Sequence, residues 1–260
     1  MLNTQQKLKL DDGRVVDCPS PAEARFLWSE ITSAAGFYRQ AAARLRPGDI
    51  VLDIGANIGL SAMLFADVCP GARVLAIEPV PATFRCLERN LRAYVPRAVA
   101  VRTAVGAESG VHALTWYPHA PANSGLYADR AADDEATRAF LRNSGLDDEA
   151  IDLITADLHR GEQIDVEVTT VSAILDEYAP DAEIGVLKVD VERAELDVLR
   201  GVAPGDWPRI RTVVAEVHDT DGRLARCREL LGDHGLTTQI RQDPNLRGTD
   251  LHEVYASRVA

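Results

Sequence analysis

Three short apolar runs alternate with two helical stretches between residues 50 and 105, and the first run ends in glycine. The runs are Ile50-Val51-Leu52-Asp53-Ile54, Arg73 to Glu78, and Ala98 to Val105. Strands that are apolar on both faces, rather than on alternate residues, belong to sheets covered on both sides. The stretches from Ile58 to about Val68 and from Pro81 to Tyr94 read as the covering helices. Strand-helix-strand-helix-strand predicts a parallel sheet with right-handed crossovers. The expected class is therefore α/β, a doubly wound, mostly parallel sheet with helices on both faces.

At 260 residues the chain suits one such domain with an appendage. Residues 1–18 read as a polar lead-in with a hairpin around Asp12-Gly13. Ser20-Pro21-Ala22-Glu23 starts a helix: a Ser cap, Pro at the first helical position and Glu three residues after the Ser. A second helix runs from Gly36 to Leu45. Residues 1–47 are thus expected as a helical extension and 48–260 as the catalytic domain. A further strand is expected over Val111 to Tyr117. Residues 118–163 are acidic and helix-prone, broken at Asn143-Ser144-Gly145, and read as an insertion or lid. The alternating pattern resumes at Val166 to Val171, a helix follows from Ser172 to Tyr178, and Ile184 to Val191 and Arg211 to Val217 read as the fourth and fifth core strands. Leu236 to Ile240 and His252 to Ala256 close the chain as an antiparallel edge hairpin.

Strand, glycine loop, helix, strand and acid make the wiring of a nucleotide site beyond the carboxyl ends of the strands. Gly55 lets the backbone turn sharply, and Gly59 lets the next helix pack close to the sheet. Asp53 can accept hydrogen bonds from a ligand amine or from loop amides. Glu78, followed by Pro79, can accept both hydroxyl protons of a ribose. Ala56 and Asn57 stand where a pyrophosphate loop needs its middle glycine. A nucleoside without phosphates fits better, which points to S-adenosylmethionine (SAM) as cofactor. A nicotinamide oxidoreductase and a non-catalytic sensing module are the rival classes.

The loop, then Glu78-Pro79, then Asn123-Ser124-Gly125, then the run from Leu187 to Gly201 together resemble the FkbM family of methyltransferases. The resemblance implies a Rossmann-like, seven-stranded sheet and O-methylation of a natural product or sugar, at a hydroxyl or carboxyl. Transfer to nitrogen or carbon, on a carrier-bound or peptide substrate, stays open. The resemblance also expects glycine where this chain has Arg193. Either a surface arginine pairs there with a neighbouring acid, or it reaches towards an acidic substrate.

Methyl transfer needs orientation and a proton acceptor at the carboxyl ends of core strands. Lys188, Asp190 and Glu192 end one such strand, and Glu216 and His218 end the next. Asp190 or His218 can serve as general base, and Lys188 can hold a substrate oxygen or form a buried ion pair with Asp190. Asp190, Glu192 and Glu216 are candidate ligands for a divalent cation, which would lower a hydroxyl's pKa. Glu192 and Glu216 are otherwise expected on the substrate side. Asn123 and Ser124 either close over cofactor or substrate or form a plain turn. Trp116, Tyr117 and Tyr127 are candidates for an apolar acceptor wall or for core.

The net charge of −12 argues against nucleic acid and anionic membrane as partners and leaves a small molecule, with a homodimer open. Four scattered cysteines without a C-x-x-C pair read as free thiols, and no apolar leader is visible, so the expected location is cytoplasmic.

Overall fold

The strand at Ile50–Ile54 lies near the middle of a seven-stranded sheet, and all five of its residues are buried. The structure, a computed structural model, describes residues 6–258. Residues 1–5 of the polar lead-in and residues 259–260 lie outside the described residues. In chain order the elements are β1 (Gln6–Lys9), β2 (Val15–Cys18), α1 (Pro21–Ile31), α2 (Phe37–Ala42), β3 (Ile50–Ile54), α3 (Leu60–Val68) and β4 (Arg73–Ile77). Then come α4 (Pro81–Tyr94), β5 (Ala98–Val101), β6 (Ala104–Val105), β7 (Gly110–Trp116), α5 (Arg130–Asn143), α6 (Asp148–Thr155) and β8 (Glu162–Thr169). The chain continues with α7 (Val171–Tyr178), β9 (Ile184–Val189), α8 (Glu195–Arg200), β10 (Thr212–His218), α9 (Arg223–Asp233), β11 (Thr237–Arg241) and β12 (Leu251–Ser257).

The main sheet has the order β11-β12-β10-β9-β3-β4-β5. Strands β5, β4, β3, β9 and β10 are parallel, and β12 is antiparallel to both its neighbours. From β3 the chain winds one way through β4 and β5. From β9 it winds the other way, so the strand order reverses between β3 and β9. That junction is where doubly wound folds open a crevice. Successive side chains of β3 serve opposite faces. Val51 packs in one core with residues of α1 to α4, while Ile50, Leu52 and Ile54 pack in the other with α7 to α9.

Two expectations need revision. The run from Ala98 to Val105 is not one strand. It breaks after Val101, and β6 joins a separate three-stranded sheet of order β6-β8-β7. The Thr103 hydroxyl donates to the Glu167 carbonyl at 3.0 Å, which ties the departing chain to β8. The N-terminal segment is also less of an appendage than expected, because Leu8, Val16, Trp28 and Phe37 share a hydrophobic core with β3 and α3. Ser20 caps α1 by accepting from the Glu23 N–H, as its sequence predicts. The insertion contains α5 and α6, separated at Gly145, whose φ is +90°. All four cysteines are buried and free. Among the described residues no helix is long and apolar enough to cross a membrane.

Asn90 links the extension to the glycine loop. Its Nδ2 donates to the Asp17 and Ile58 carbonyls, each at 2.9 Å, and its Oδ1 accepts from the Asp17 N–H at 2.8 Å. The side chain is 1% exposed, so its removal strands buried polar groups. Asn90→Ala is expected to lower unfolding stability by about 2–4 kcal/mol, measured by urea titration.

Candidate active site

β3 ends in a loop that leaves no room for a side chain at its first turn. Gly55 has φ +73°, and a Cβ there would lie 1.7 Å from the Asp190 carbonyl oxygen. Asn57 is also left-handed, with φ +48°, a conformation asparagine adopts more readily than most residues. Its N–H donates to Glu78 Oε2 at 3.1 Å, and the Val80 N–H donates to Oε1 at 2.9 Å. Burial pushes the Glu78 carboxyl up to about 7 despite these two donors. Each oxygen keeps a second lone-pair direction for a ligand. Gly55, Ala56, Asn57, Glu78 and Pro79 all line one cleft of about 740 Å³.

Asp53 and Gly59 do not line that cleft. Asp53 is fully buried. Its Oδ2 accepts from the Ser61 hydroxyl at 2.6 Å, and its Oδ1 lies 3.3 Å from Lys188 Nζ. It therefore supports the loop from beneath instead of meeting a ligand. Gly59 starts α3 with φ +90°, and a Cβ there would press on Leu87 of α4, not on the sheet.

Lys188 is the other half of this support. Its Nζ donates to the Gly55 carbonyl at 2.6 Å and lies 3.3 Å from both Asp53 and Asp190. Burial opposes its charge, but Asp190 and Asp53 outweigh burial and hold its pKa above the ordinary value. An ammonium has three donors, and three acceptors surround this one. Of the two roles expected for Lys188, the structure shows the buried ion pair, and the residue also lines the cleft.

Beyond Val189 the chain leaves the sheet, so Asp190 and Glu192 are not alternate residues of one strand. Glu192 and Arg193 are both left-handed, with φ +52° and +71°. This turn aims Glu192 Oε2 at His218 Nε2, 3.4 Å away, while His218 Nδ1 faces Glu195 Oε1 at 3.1 Å. Burial works against a charge on His218, but Glu195 and Glu192 outweigh it and carry the imidazole up to about 9. A histidine held protonated has no free lone pair at neutral pH, which counts against His218 as the direct base. Burial pushes Glu192 up to about 8 and raises Glu216 well above the carboxylate range. Glu216 accepts from the Tyr38 hydroxyl at 3.3 Å. Asp190, Glu192 and Glu216 all line the cleft, yet no group of three such side chains among the described residues is arranged to hold a metal ion. The proposed divalent-cation set is not assembled.

Asn123 and Ser124 also line the cleft. Ser124 Oγ accepts from the Tyr117 N–H at 3.0 Å, and Asn123 Oδ1 faces His159 Nε2 at 3.3 Å. Gly125 lies directly on the Glu192 turn, since a Cβ there would come within 2.9 Å of the Glu192 carbonyl. None of Trp116, Tyr117 and Tyr127 lines the cleft. Tyr117 is 1% exposed and donates to Asp133 at 2.8 Å, and Tyr127 donates to Asp197. The aromatic wall comes instead from Phe26 of α1 and Phe140 of α5, packed edge to face at 5.1 Å. Glu23 and Glu30 of α1 line the cleft too, and burial raises each to about 7. Residues 23, 26, 27 and 30 share one helical face, which is the signal that could have revealed this wall.

The Methyltransferase FkbM domain family model matches residues 53–242. The chain is 42% identical to the 31-O-demethyl-FK506 methyltransferase FkbM of Streptomyces tacrolimicus, over 100% of both chains. The chain belongs to the FkbM family of methyltransferases. It is also 33% identical to methyltransferase sdnD of Sordaria araneosa, over 83% of each. Among solved structures, an FkbM methyltransferase from Methylobacillus flagellatus superposes with a TM-score of 0.51 at 16% identity, covering 81% of this chain and 44% of that one. That likeness concerns the Rossmann-like fold.

Within this FkbM-family methyltransferase, Arg193 occupies a backbone conformation that glycine adopts without cost. For another residue the left-handed region costs about 1–2 kcal/mol. The expected surface arginine is in fact buried, 7% exposed, and its Nη1 donates to Asp133 of α5 at 2.6 Å. Its own N–H donates to Glu195 Oε1 at 2.8 Å, and its carbonyl accepts from the Arg223 guanidinium. The side chain thus ties the insertion to the turn, as the pairing with a neighbouring acid predicts, and it also lines the cleft.

Lys188→Met would leave Asp53 buried without its cation. A loss of about 3–5 kcal/mol in unfolding stability is expected by denaturant titration, with partial recovery in the Lys188→Met/Asp53→Asn pair.

Proposed function

We propose that this chain transfers a methyl group from SAM to a hydroxyl oxygen of a small natural product. The observation that carries the reading is the buried Glu78 carboxylate beside the Gly55 turn, both facing one cleft. The cofactor's fit rests on two features. Glycine at 55 lets the turn pass against the Asp190 carbonyl at the edge of the cleft, and each Glu78 oxygen has capacity for one ribose hydroxyl beyond its backbone donor. Ala56 and Asn57 fill the space a pyrophosphate would need, which favours SAM over a dinucleotide. When bound, SAM supplies an electrophilic methyl carbon on a sulfonium. The protein's own work is to orient the acceptor, exclude water and take a proton.

The residues divide by place. Gly55 to Asn57, Glu78 and Pro79 would hold the nucleoside. Asp53 would act on it through the loop that it braces together with Lys188, which itself lines the cleft. Asp190, Glu192, Glu216 and His218 face the acceptor side, and Asn123 and Ser124 close it. The wall of Phe26 and Phe140 suits an apolar body, and the surrounding carboxyls disfavour a phosphorylated or polyanionic acceptor. Transfer to oxygen, rather than to nitrogen or carbon, draws support from the name of the Streptomyces relative.

Calorimetry with S-adenosylhomocysteine (SAH) tests the reading. Wild type is expected to bind, and Glu78→Ala to weaken binding at least tenfold; absence of binding by wild type would end the proposal. The pH dependence has a defined sign. Glu78's folded value of about 7 lies above its ordinary 4.5, so the free carboxyl carries a proton below about 7. Two ribose hydroxyls require the ionised form. SAH affinity should therefore rise about tenfold between about pH 6 and pH 8, and Glu78→Gln should flatten that rise. Turnover is best sought with 31-O-demethyl-FK506 and a panel of hydroxylated natural products.

A further inference from the structure

Among the carboxyls that line the cleft, Asp190, Glu192 and Glu216 come from the ends of β9 and β10 and the turn beyond, and two of these three are already committed. Asp190 lies 3.3 Å from the Lys188 ammonium that also holds the glycine loop. Glu216 takes the Tyr38 hydroxyl. Glu192 differs from both. Its Oε2 faces His218 Nε2 at 3.4 Å, so its partner is an imidazole instead of an ammonium or a phenol. The imidazole behind it is fixed in turn by Glu195, which is 1% exposed and takes both His218 Nδ1 and the Arg193 N–H on one oxygen. The other oxygen of Glu195 is buried without a hydrogen-bond partner, so this acid is held in place at a cost in solvation. Nothing about sheet stability calls for an acid, a histidine and an acid in line towards a cleft.

We propose that Glu192 is the catalytic base, and that His218 and Glu195 are positioning residues that hold it ready. The inference rests on the methyltransferase reading above. In the step, the acceptor's O–H bond breaks and its proton moves to Glu192 Oε1. The oxygen's electron pair forms the new bond to the methyl carbon, and the C–S bond breaks with its pair left on sulfur, giving a neutral thioether. His218 stays protonated throughout and keeps the carboxylate oriented. The sequence could not separate Glu192 from Asp190, because only the left-handed turn at Glu192 and Arg193 points the two carboxyls to different partners.

The charges around the pair set its pH response. Glu192 faces His218 and Glu216 of β10, Asp190 just beyond β9, Glu195 of α8 and Asp133 of α5. His218 faces Glu195, Glu192 and Arg193. Burial raises Glu192 to about 8 and the imidazole stays protonated to about 9, so the ionised base with its protonated partner peaks between the two: the rate rises with pH through about 8 and falls above about 9, in limbs that belong to the pair and not to either residue alone.

The test needs no acceptor at first. In full-length protein with ¹³C-labelled histidine, the His218 resonance is assigned with His218→Gln and followed against pH. The expected midpoint is near 9, falling by about one unit or more in Glu195→Gln and in Glu192→Gln. A wild-type midpoint near the ordinary 6.5, or a midpoint that neither variant moves, would overturn the proposal. SAH affinity in the same variants reports that the fold and cofactor site are intact. With an acceptor from the panel, Glu192→Gln should lower kcat about 10²–10⁴-fold at unchanged SAH affinity, with part of it restored in Glu192→Asp. Wild-type turnover by Glu192→Gln would also overturn it. If wild type fails to bind SAH, the cofactor reading falls, while the His218 titration still decides the geometry.

Discussion

One buried ammonium holds the centre of this molecule. Lys188 sits at the junction where the strand order reverses, where it donates to the loop after β3 and pairs with Asp53 of β3 and with Asp190 just beyond β9. A charge this deep persists only when it is paired and hydrogen-bonded. The pairing therefore fixes the relative position of the two strands, the path of the glycine loop and the direction of Asp190. The chain has 25 arginines against three lysines, counted along its sequence, so a lysine here is a choice of geometry. A planar guanidinium suits flat carboxylates, whereas a compact ammonium can serve three acceptors around a point.

The sheet was legible because its inner strands are buried on both faces and so read as unbroken apolar runs. The cofactor loop was legible because its glycine and the acid on the next strand obey a fixed wiring. The acceptor side was not. Its wall joins Phe26 from near one end of the chain to Phe140 from the insertion, and no periodic signal links segments so far apart. Asp53 looked like a ligand contact because strand-end acids often are; its burial beneath the loop follows from Ser61 and Lys188, which only the folded chain brings to it. Asp190, Glu192 and Glu216 looked like a metal set because sequence shows spacing but not the turn that separates their side chains.

The insertion is bound to the sheet domain by polar contacts as well as packing. Asp133 takes Arg193 and Tyr117, and Asp134 takes His159, whose ring also packs edge-on against Tyr117. Buried networks of this kind are stable only when every member is present. They give the acceptor side a defined shape without adding to the apolar core of the sheet.

The Arg193–Asp133 pair also constrains how such a chain can change over generations. An arginine replacing glycine in the left-handed turn, with no acid opposite, brings both backbone strain and an uncompensated buried cation. An aspartate on α5 opposite glycine still has the Tyr117 hydroxyl as a partner. The acid can therefore precede the arginine far more easily than follow it. With both in place, each makes the loss of the other harmful, so Arg193→Gly alone would leave Asp133 without its cation although the backbone would accept the glycine.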